Sequence, residues 1–224
     1  MVALTNDEIE LLSEKELWGR FVFKIIRFFG LIFHRKIYEE YILRVLNDLV
    51  DDGFQHVDIR MIPESVKDDV TKDAVIPEHE IIEIYLRCIE KIRERVPSFS
   101  FSMIYMAIKT FPRETFAPKL EIAFQMAAKY PEIRFGYDLV DTEDGGKNQI
   151  DLLDILIGKY DEFKKKYKSH VDYVFHVGES HNVDNYNLVD CLMLDTKRIG
   201  HGFLLGKHCF LQEEVKKRGL VIEV

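Results

Sequence analysis

Short β-branched or aromatic runs alternate with stretches of helical period along most of this 224-residue sequence, and no other feature limits its fold as strongly. The candidate strands are the runs at residues 56–61, 99–108, 133–139, 171–177, 198–201 and 220–224. Strands separated by helices, at spacings of roughly 25–40 residues, predict a mostly parallel sheet with right-handed crossovers. The sequence is therefore expected to fold as α/β.

Amphipathic helices are predicted between these strands from apolar residues that recur every three or four positions. Three such stripes are Ile37, Tyr38, Tyr41, Ile42, Val45, Leu46 and Leu49, then Ile81, Ile82, Tyr85, Cys88, Ile89 and Ile92, and later Leu152, Leu153, Leu156, Ile157, Tyr160 and Phe163. Each stripe is expected to face a core.

Two architectures satisfy this alternation, an open doubly wound sheet and a (β/α)8 barrel. A dinucleotide-binding sheet requires G-x-G-x-x-G between its first strand and helix, and the sequence contains no such string. A barrel needs eight strands, two more than the pattern supplies. Because the sequence stops at Val224 inside an apolar run, we predict an incomplete (β/α)8 TIM barrel with about six parallel strands.

Charge and composition exclude several classes of partner. The formal net charge of −8 repels phosphate backbones, so no nucleic acid is expected to bind. Charged residues interrupt every apolar run well short of the ~20 residues of a membrane span, so no membrane partner is expected. Met1 is not followed by a basic and then an apolar region, so no secretory signal is predicted.

The residues that could carry chemistry lie at the ends of two consecutive predicted strands. His176 ends one strand, and Glu179 follows three residues later. His201 ends the next strand between Gly200 and Gly202, which would let a ligand approach the backbone closely. In parallel barrels the active site lies at the carboxyl ends of the strands. Two histidines and a carboxylate there are suited to metal-activated water and proton transfer.

Two motifs relate this sequence to a known family. His176-Val177-Gly178-Glu179 resembles the H-A-G-E motif of the adenosine deaminase family, and residues 197–202, K-R-I-G-H-G, resemble its R-I-G-H-G motif. The longer match over 184–208 is most similar to the adenosine deaminase-related growth factor branch. Shorter matches at 17–21, 30–31, 52–53 and 136–140 occur in the order of that branch, so the resemblance covers almost the whole chain.

The resemblance implies a metal-dependent hydrolase in which each motif residue has a role. It implies a Zn2+ cofactor with His176 as a metal ligand, Glu179 as the acid that protonates purine N1, and His201 as the histidine beside the attacking hydroxide. Gly178 and Asp141 are implied to be substrate-binding. Residues 1–224 would be part of the catalytic domain, with barrel strands two to seven, and residues 1–53 would form the helices between strands one and two.

The implied reaction is hydrolytic deamination of adenosine or 2′-deoxyadenosine, with release of ammonia, by the parent protein. A purine nucleoside is the implied substrate, a homodimer is possible, and members of the branch are extracellular. Three alternatives stay open: a non-catalytic relative that binds nucleosides or a receptor, an AMP deaminase, and an adenine deaminase.

The sequence also departs from the family pattern. The family takes two zinc ligands from an H-x-H pair in its first strand and another from an aspartate pair in strand eight, and this sequence has neither. With His176 as the one remaining ligand, the 224 residues alone are expected to bind zinc weakly and to be inactive. Asp141 stands where the family has the glycine whose N–H reaches purine N3. Two outcomes stay open: its carboxylate crowds the base or repels the acceptor nitrogen, or the loop shifts and Asp141 faces solvent.

Overall fold

The structure, a computed structural model, describes residues 6–62, 65–68 and 74–223. These residues form two compact units, one within 1–55 and 64–100 and the other within 56–63 and 101–224. Val224, the last residue of the predicted sixth strand, lies outside the described residues. Among the described residues, no helix combines the length and the apolar composition that a membrane span requires.

Helices and strands follow one another in the predicted order. The α-helices are α1 Asn6–Leu11, α2 Glu14–Ile32, α3 Arg35–Asp51, α4 Glu78–Arg93, α5 Phe116–Lys129, α6 Tyr160–Tyr167, α7 Asn187–Met193 and α8 Cys209–Arg218. The strands are β1 His56–Met61, β2 Ser100–Ile108, β3 Arg134–Val140, β4 Asp172–Val177, β5 Arg198–His201 and β6 Val221–Glu223. Each strand overlaps the run from which it is predicted.

The first unit is built around α3 and α4, whose predicted apolar stripes face each other. Tyr38 of α3 and Tyr85 of α4 are both buried, and their hydroxyl oxygens are 2.9 Å apart. Burial raises the pKa of Tyr38 to about 12, so both hydroxyls stay protonated and can share a hydrogen bond. Ile42, Leu46 and Ile89 complete the buried stripes at helical spacing.

The second unit is a sheet with its strands in sequence order from β1 to β6. The pairs from β2 to β6 are parallel, and each step to the next strand passes through a helical segment. Parallel strands need such crossovers because their starting ends lie at the same edge. The α/β prediction of an incomplete barrel with about six parallel strands is confirmed, with β1 and β6 at the two sides of the described sheet.

One predicted helix, over residues 152–163, differs from an ideal amphipathic helix. A 3-10 turn covers Gln149–Leu152, a π-helical segment covers Asp154–Lys159, and regular α-helix resumes only in α6. A π turn shifts the spacing of side chains along the helix face, because its hydrogen bonds join residues five apart. Consequently Leu153 and Ile157, predicted to face the core, are exposed.

An ionic network inside the sheet connects its first strand to its last two. Arg60 of β1 donates a hydrogen bond of 2.6 Å to Glu223 of β6. Arg198 of β5 bonds to Asp58 of β1 and lies 2.5 Å from Glu223. Since β1 and β6 are at opposite sides of the strand order, these contacts require a strongly curled sheet. Charge pairing thus contributes to the curvature.

Replacing Arg198 with Met should destabilise the chain by about 1–3 kcal/mol, since it leaves two partly buried carboxylates with fewer partners. Arg198 holds the pKa of Asp58 below its usual range against the opposing effect of burial. The contribution of this pair is therefore complete above about pH 4 and is lost as the pH falls further. Urea unfolding at neutral and acidic pH should show that the difference between variant and wild type shrinks in acid.

The matched control is Arg113→Met, because Arg113 pairs with Asp154 at an exposed site in the same unit. Exposed pairs contribute about 0–1 kcal/mol, so this variant should stay near wild type. Equal effects of the two substitutions would contradict a structural role for the interior network.

Candidate active site

Two neighbouring strands bring both predicted histidines to the same edge of the sheet. The register pairs Val177, the last residue of β4, with His201, the last residue of β5, and it places His176 opposite Gly200. The imidazole ring centres of His176 and His201 are 5.1 Å apart. A Cβ atom at position 200 would lie 3.2 Å from Cγ of His176, so glycine leaves room for this ring.

Glu179 reaches the histidines from the loop after β4. Its Oε1 atom lies 3.4 Å from Nε2 of His201. The side chains of His176, His201 and Glu179 are 22%, 32% and 26% exposed, so each is partly accessible to solvent. The structure therefore brings together the three residues that the motifs predict as metal ligand, as acid and as the histidine beside the attacking hydroxide.

A fully buried carboxylate, Asp138 of β3, orients His176. Its Oδ1 atom accepts the backbone N–H of His176 at 2.8 Å, and its Oδ2 atom lies 2.6 Å from Nδ1 of the same residue. Arg60 donates to Oδ2 at 3.0 Å. Although burial opposes ionisation, His176 and Arg60 hold the pKa of Asp138 below its usual range. Sequence reasoning assigned no role to Asp138, yet a carboxylate inside a buried strand is a signal that a partner must exist.

This contact determines which nitrogen of the imidazole is available for chemistry. An ionised carboxylate can only accept hydrogen bonds. Nδ1 of His176 therefore carries the proton and donates a hydrogen bond to Asp138. The Nε2 atom of His176 is then the acceptor. A histidine that binds a metal through one nitrogen and donates to a carboxylate through the other is the usual arrangement in metal sites.

Lys109 directly follows β2 and contacts His176, and sequence reasoning assigned it no role. Its side chain is fully buried, and Nζ donates to the backbone oxygen of His176 at 2.8 Å. Desolvation lowers the pKa of Lys109, and the carboxylates of Glu143, Asp138 and Glu179 oppose that effect. A polar residue that follows β2 directly offered the only sequence signal.

The two predicted substrate-binding residues, Gly178 and Asp141, are both hydrogen-bonded within the protein. Gly178 donates its N–H to Glu143 at 3.0 Å and accepts from the amide of Leu204 at 2.9 Å, so both groups are engaged within the protein. Asp141 follows β3 with φ of 90°, an unfavourable value for a residue with a Cβ atom. Its carboxylate accepts from the amide of Thr142 at 2.8 Å and from the hydroxyl of Thr110.

The described residues supply one oriented ligand for a metal but do not complete a site. His176 fits the role because Asp138 fixes its tautomer. Among the residues that the structure describes, no group of three or more His, Cys, Asp or Glu side chains could hold a metal ion. Catalytic zinc sites use three protein ligands, so further ligands would have to come from outside this set.

Comparison with known proteins gives relatives over most of the chain. No protein-family model matches it. Adenosine deaminase from Aedes albopictus is 28% identical over 216 residues, which cover 95% of this chain and 39% of that protein. Adenosine deaminase 2 from Dictyostelium discoideum is 29% identical over 93% of this chain and 38% of its own length. Adenosine deaminase 2 from Homo sapiens is 27% identical over 98% of this chain and 42% of its own length.

Solved structures agree on the fold class. An adenine deaminase from Arthrobacter aurescens superimposes with a TM-score of 0.68 at 16% identity, covering 98% of this chain and 62% of that one. An amidohydrolase from Burkholderia ambifaria, solved with bound Zn, gives a TM-score of 0.67 at 13% identity over 99% of this chain and 59% of that one. The chain therefore shares the barrel fold of these two proteins over most of its length.

The curated relatives give a narrower resemblance than the fold does. They confirm the resemblance to the adenosine deaminase family that the two motifs indicate, and several of them are adenosine deaminase 2 proteins. The chain spans about two fifths of the length of these relatives.

Replacing Asp138 with Ala should remove the preference of His176 for a proton on Nδ1, because no carboxylate remains to accept it. Nitrogen NMR of the imidazole should show one tautomer in the wild type and a mixture in the variant. Asp172→Ala is the matched control, since Asp172 lies at the opposite end of β4 and contacts His170. If His176 kept a single tautomer without Asp138, the orienting role would be refuted.

Proposed function

We propose that this chain forms part of the catalytic domain of a zinc-dependent adenosine deaminase, which converts adenosine or 2′-deoxyadenosine with water to the corresponding inosine and ammonia. The observation that carries the proposal is the placement of His176, Glu179 and His201 at one edge of the sheet, with 3.4 Å between Glu179 Oε1 and His201 Nε2. The curated relatives that bear the name adenosine deaminase support it. Residues 1–224 would then hold barrel strands two to seven, and residues 1–53 the helices between strands one and two.

Glu179 is proposed as the acid of this reaction. C6 of adenosine is a poor electrophile until N1 is protonated, so a positioned carboxylic acid lowers the barrier. Transfer of its proton to N1 would allow the oxygen of water to form a bond to C6. One proton of that water passes to the amino group as the C6–N6 bond breaks and ammonia leaves, and the other returns to Glu179 as the C6 carbonyl forms. Glu179 is exposed enough to meet a ligand and is held by its backbone.

His201 is proposed to orient the attacking water. Its Nε2 atom lies beside Glu179, so a water bound to the imidazole would sit near the edge of a base whose N1 faces the carboxyl group. The positive φ of 67° at His201 and of 62° at Gly202 turns the chain at the end of β5 and presents the ring at the edge of the sheet. Asp141 is proposed to contact the base in place of a backbone amide.

Zinc is proposed as the cofactor, with His176 as one of its ligands. A bound zinc ion would lower the pKa of water from 15.7 towards about 7 and so supply hydroxide. The solved amidohydrolase with bound Zn supports this choice by fold alone. Extracellular location and pairing into a homodimer are proposed from the resemblance to the growth-factor-related branch.

In a protein that contains the whole catalytic domain, Glu179→Gln should lower kcat for adenosine by about 10²–10⁴-fold, because the amide keeps the volume but cannot protonate N1. Release of ammonia measures turnover. Glu214→Gln is the control, since Glu214 lies on α8 and pairs with Lys217 and Arg218 of the same helix. Near-normal turnover by the Glu179 variant would show that another group is the acid.

The 224 residues alone are proposed to bind zinc weakly and to be inactive, since the described part of the chain offers a single oriented ligand. Competition with a chelator of known affinity should therefore strip zinc readily. Tight stoichiometric zinc that depends on His176, or formation of inosine by the isolated chain, would contradict this proposal.

A further inference from the structure

The loop that carries Glu179 is attached to one buried carboxylate, that of Glu143. Glu143 is 4% exposed and lies in the loop after β3. Its Oε2 atom accepts the backbone amides of Glu179 at 2.8 Å and of Ser180 at 2.9 Å. Its Oε1 atom accepts the amide of Gly178 at 3.0 Å and the side-chain Nδ2 of Asn187 at 3.1 Å. Each oxygen therefore accepts two hydrogen bonds.

Three consecutive amides that point to one anion form a concave backbone site of the kind that binds phosphates and other anions. Here the protein's own carboxylate fills that site. The turn depends on Gly178, whose φ is 71° and whose added Cβ atom would lie 3.0 Å from Leu188. The loop conformation and the anion are thus mutually dependent, because without an acceptor three buried donors would be left unsatisfied.

The buried charge of Glu143 has a counterpart in Lys109. Lys109 is fully buried, and Glu143 is the strongest of the carboxylate influences that favour its charged form. Lys109 also donates to the backbone of His176 at 2.8 Å. Lys109 therefore holds the backbone of the β4 histidine while Glu143 holds the loop that follows it, and the two buried side chains carry opposite charges.

We infer that Glu143 is a positioning residue, whose carboxylate holds the Gly178–Ser180 loop so that the side chain of Glu179 stays beside His201. The inference rests on the proposed function, because that function is what requires the Glu179 side chain to stay beside His201. Its physical basis is that the backbone nitrogen of Glu179 is bonded directly to Glu143, while the Glu179 side chain lies 3.4 Å from His201. A displacement of about 1 Å at a reacting group can lower a rate about 10²-fold.

Glu143→Gln is a sharp test because the side chain keeps its shape but loses one acceptor. Whichever way the new amide is turned, its NH2 group faces two donors that an oxygen now satisfies. Hydrogen–deuterium exchange of the isolated chain should show protection at Gly178, Glu179 and Ser180 reduced roughly tenfold or more. Protection inside the strands β2 and β3 should be retained.

Asp172→Asn is the matched control, since it makes the same charge change at a buried carboxylate at the other end of β4. It should leave the three loop amides unchanged. If Glu143→Gln does not fold, Glu143→Asp retains the charge but is one methylene too short to reach all three amides in place. It should still raise exchange at the loop. Wild-type protection of the loop in a folded Glu143 variant would overturn the inference.

A second arm uses the whole catalytic domain and separates positioning from general stability. Per folded molecule, Glu143→Gln should lower kcat for adenosine by about 10–100-fold while KM changes less than about threefold. Glu143→Asp should recover part of the loss. An unchanged kcat, or a loss explained entirely by unfolded protein, would overturn the positioning role. An inactive wild-type domain would instead overturn the proposed function, and the exchange experiment would still decide whether Glu143 holds the loop.

Discussion

The remaining structure depends most on the hydrogen bonds and the ion pair that the buried carboxylate of Asp138 makes inside the sheet. An ionised group without solvent must be paired, and the cost of leaving it unpaired is several kcal/mol. Its partners are Arg60 of β1 and, on β4, the backbone N–H and the ring Nδ1 of His176. One buried charge thereby fixes the positions of two further strands relative to β3 and the direction of a candidate metal ligand.

Other charged groups on both sides of Asp138 are also buried or partly buried and also need partners. Towards the edge strands, Arg60 also pairs with Glu223, which in turn lies beside Arg198, so the curl of the sheet is coupled to the compensation of buried charge. Towards the carboxyl ends of the strands, the buried side chains of Lys109 and Glu143 bond to the backbone of His176 and of the Glu179 loop. The candidate site lies where these two sets of contacts meet. Its side chains are held by polar contacts whose failure would leave buried groups unsatisfied, which favours a single geometry.

Most strands were predictable because they are short runs of β-branched and aromatic residues bounded by turn residues. His176, Glu179 and His201 were predictable because two contiguous motifs contain them. Sequence reasoning missed Asp138, Glu143 and Lys109 because their partners are distant in sequence. The spacing of residues along a chain does not predict a long-range pair such as Arg60 with Glu223. The exposure of Ile157 was missed for a local reason, since a π-helical segment breaks the period on which the prediction rests.

The central claim is that the edge formed by the ends of β3, β4 and β5 recognises a purine nucleoside. Titration of the isotope-labelled chain with adenosine, followed by amide and imidazole NMR signals, tests it most directly because binding is observed without turnover. The account predicts that the largest shift changes occur at Glu179, His201 and Asp141, and that cytidine at the same concentration produces much smaller ones. Changes confined to other parts of the chain, or none at these residues up to millimolar adenosine, would contradict it.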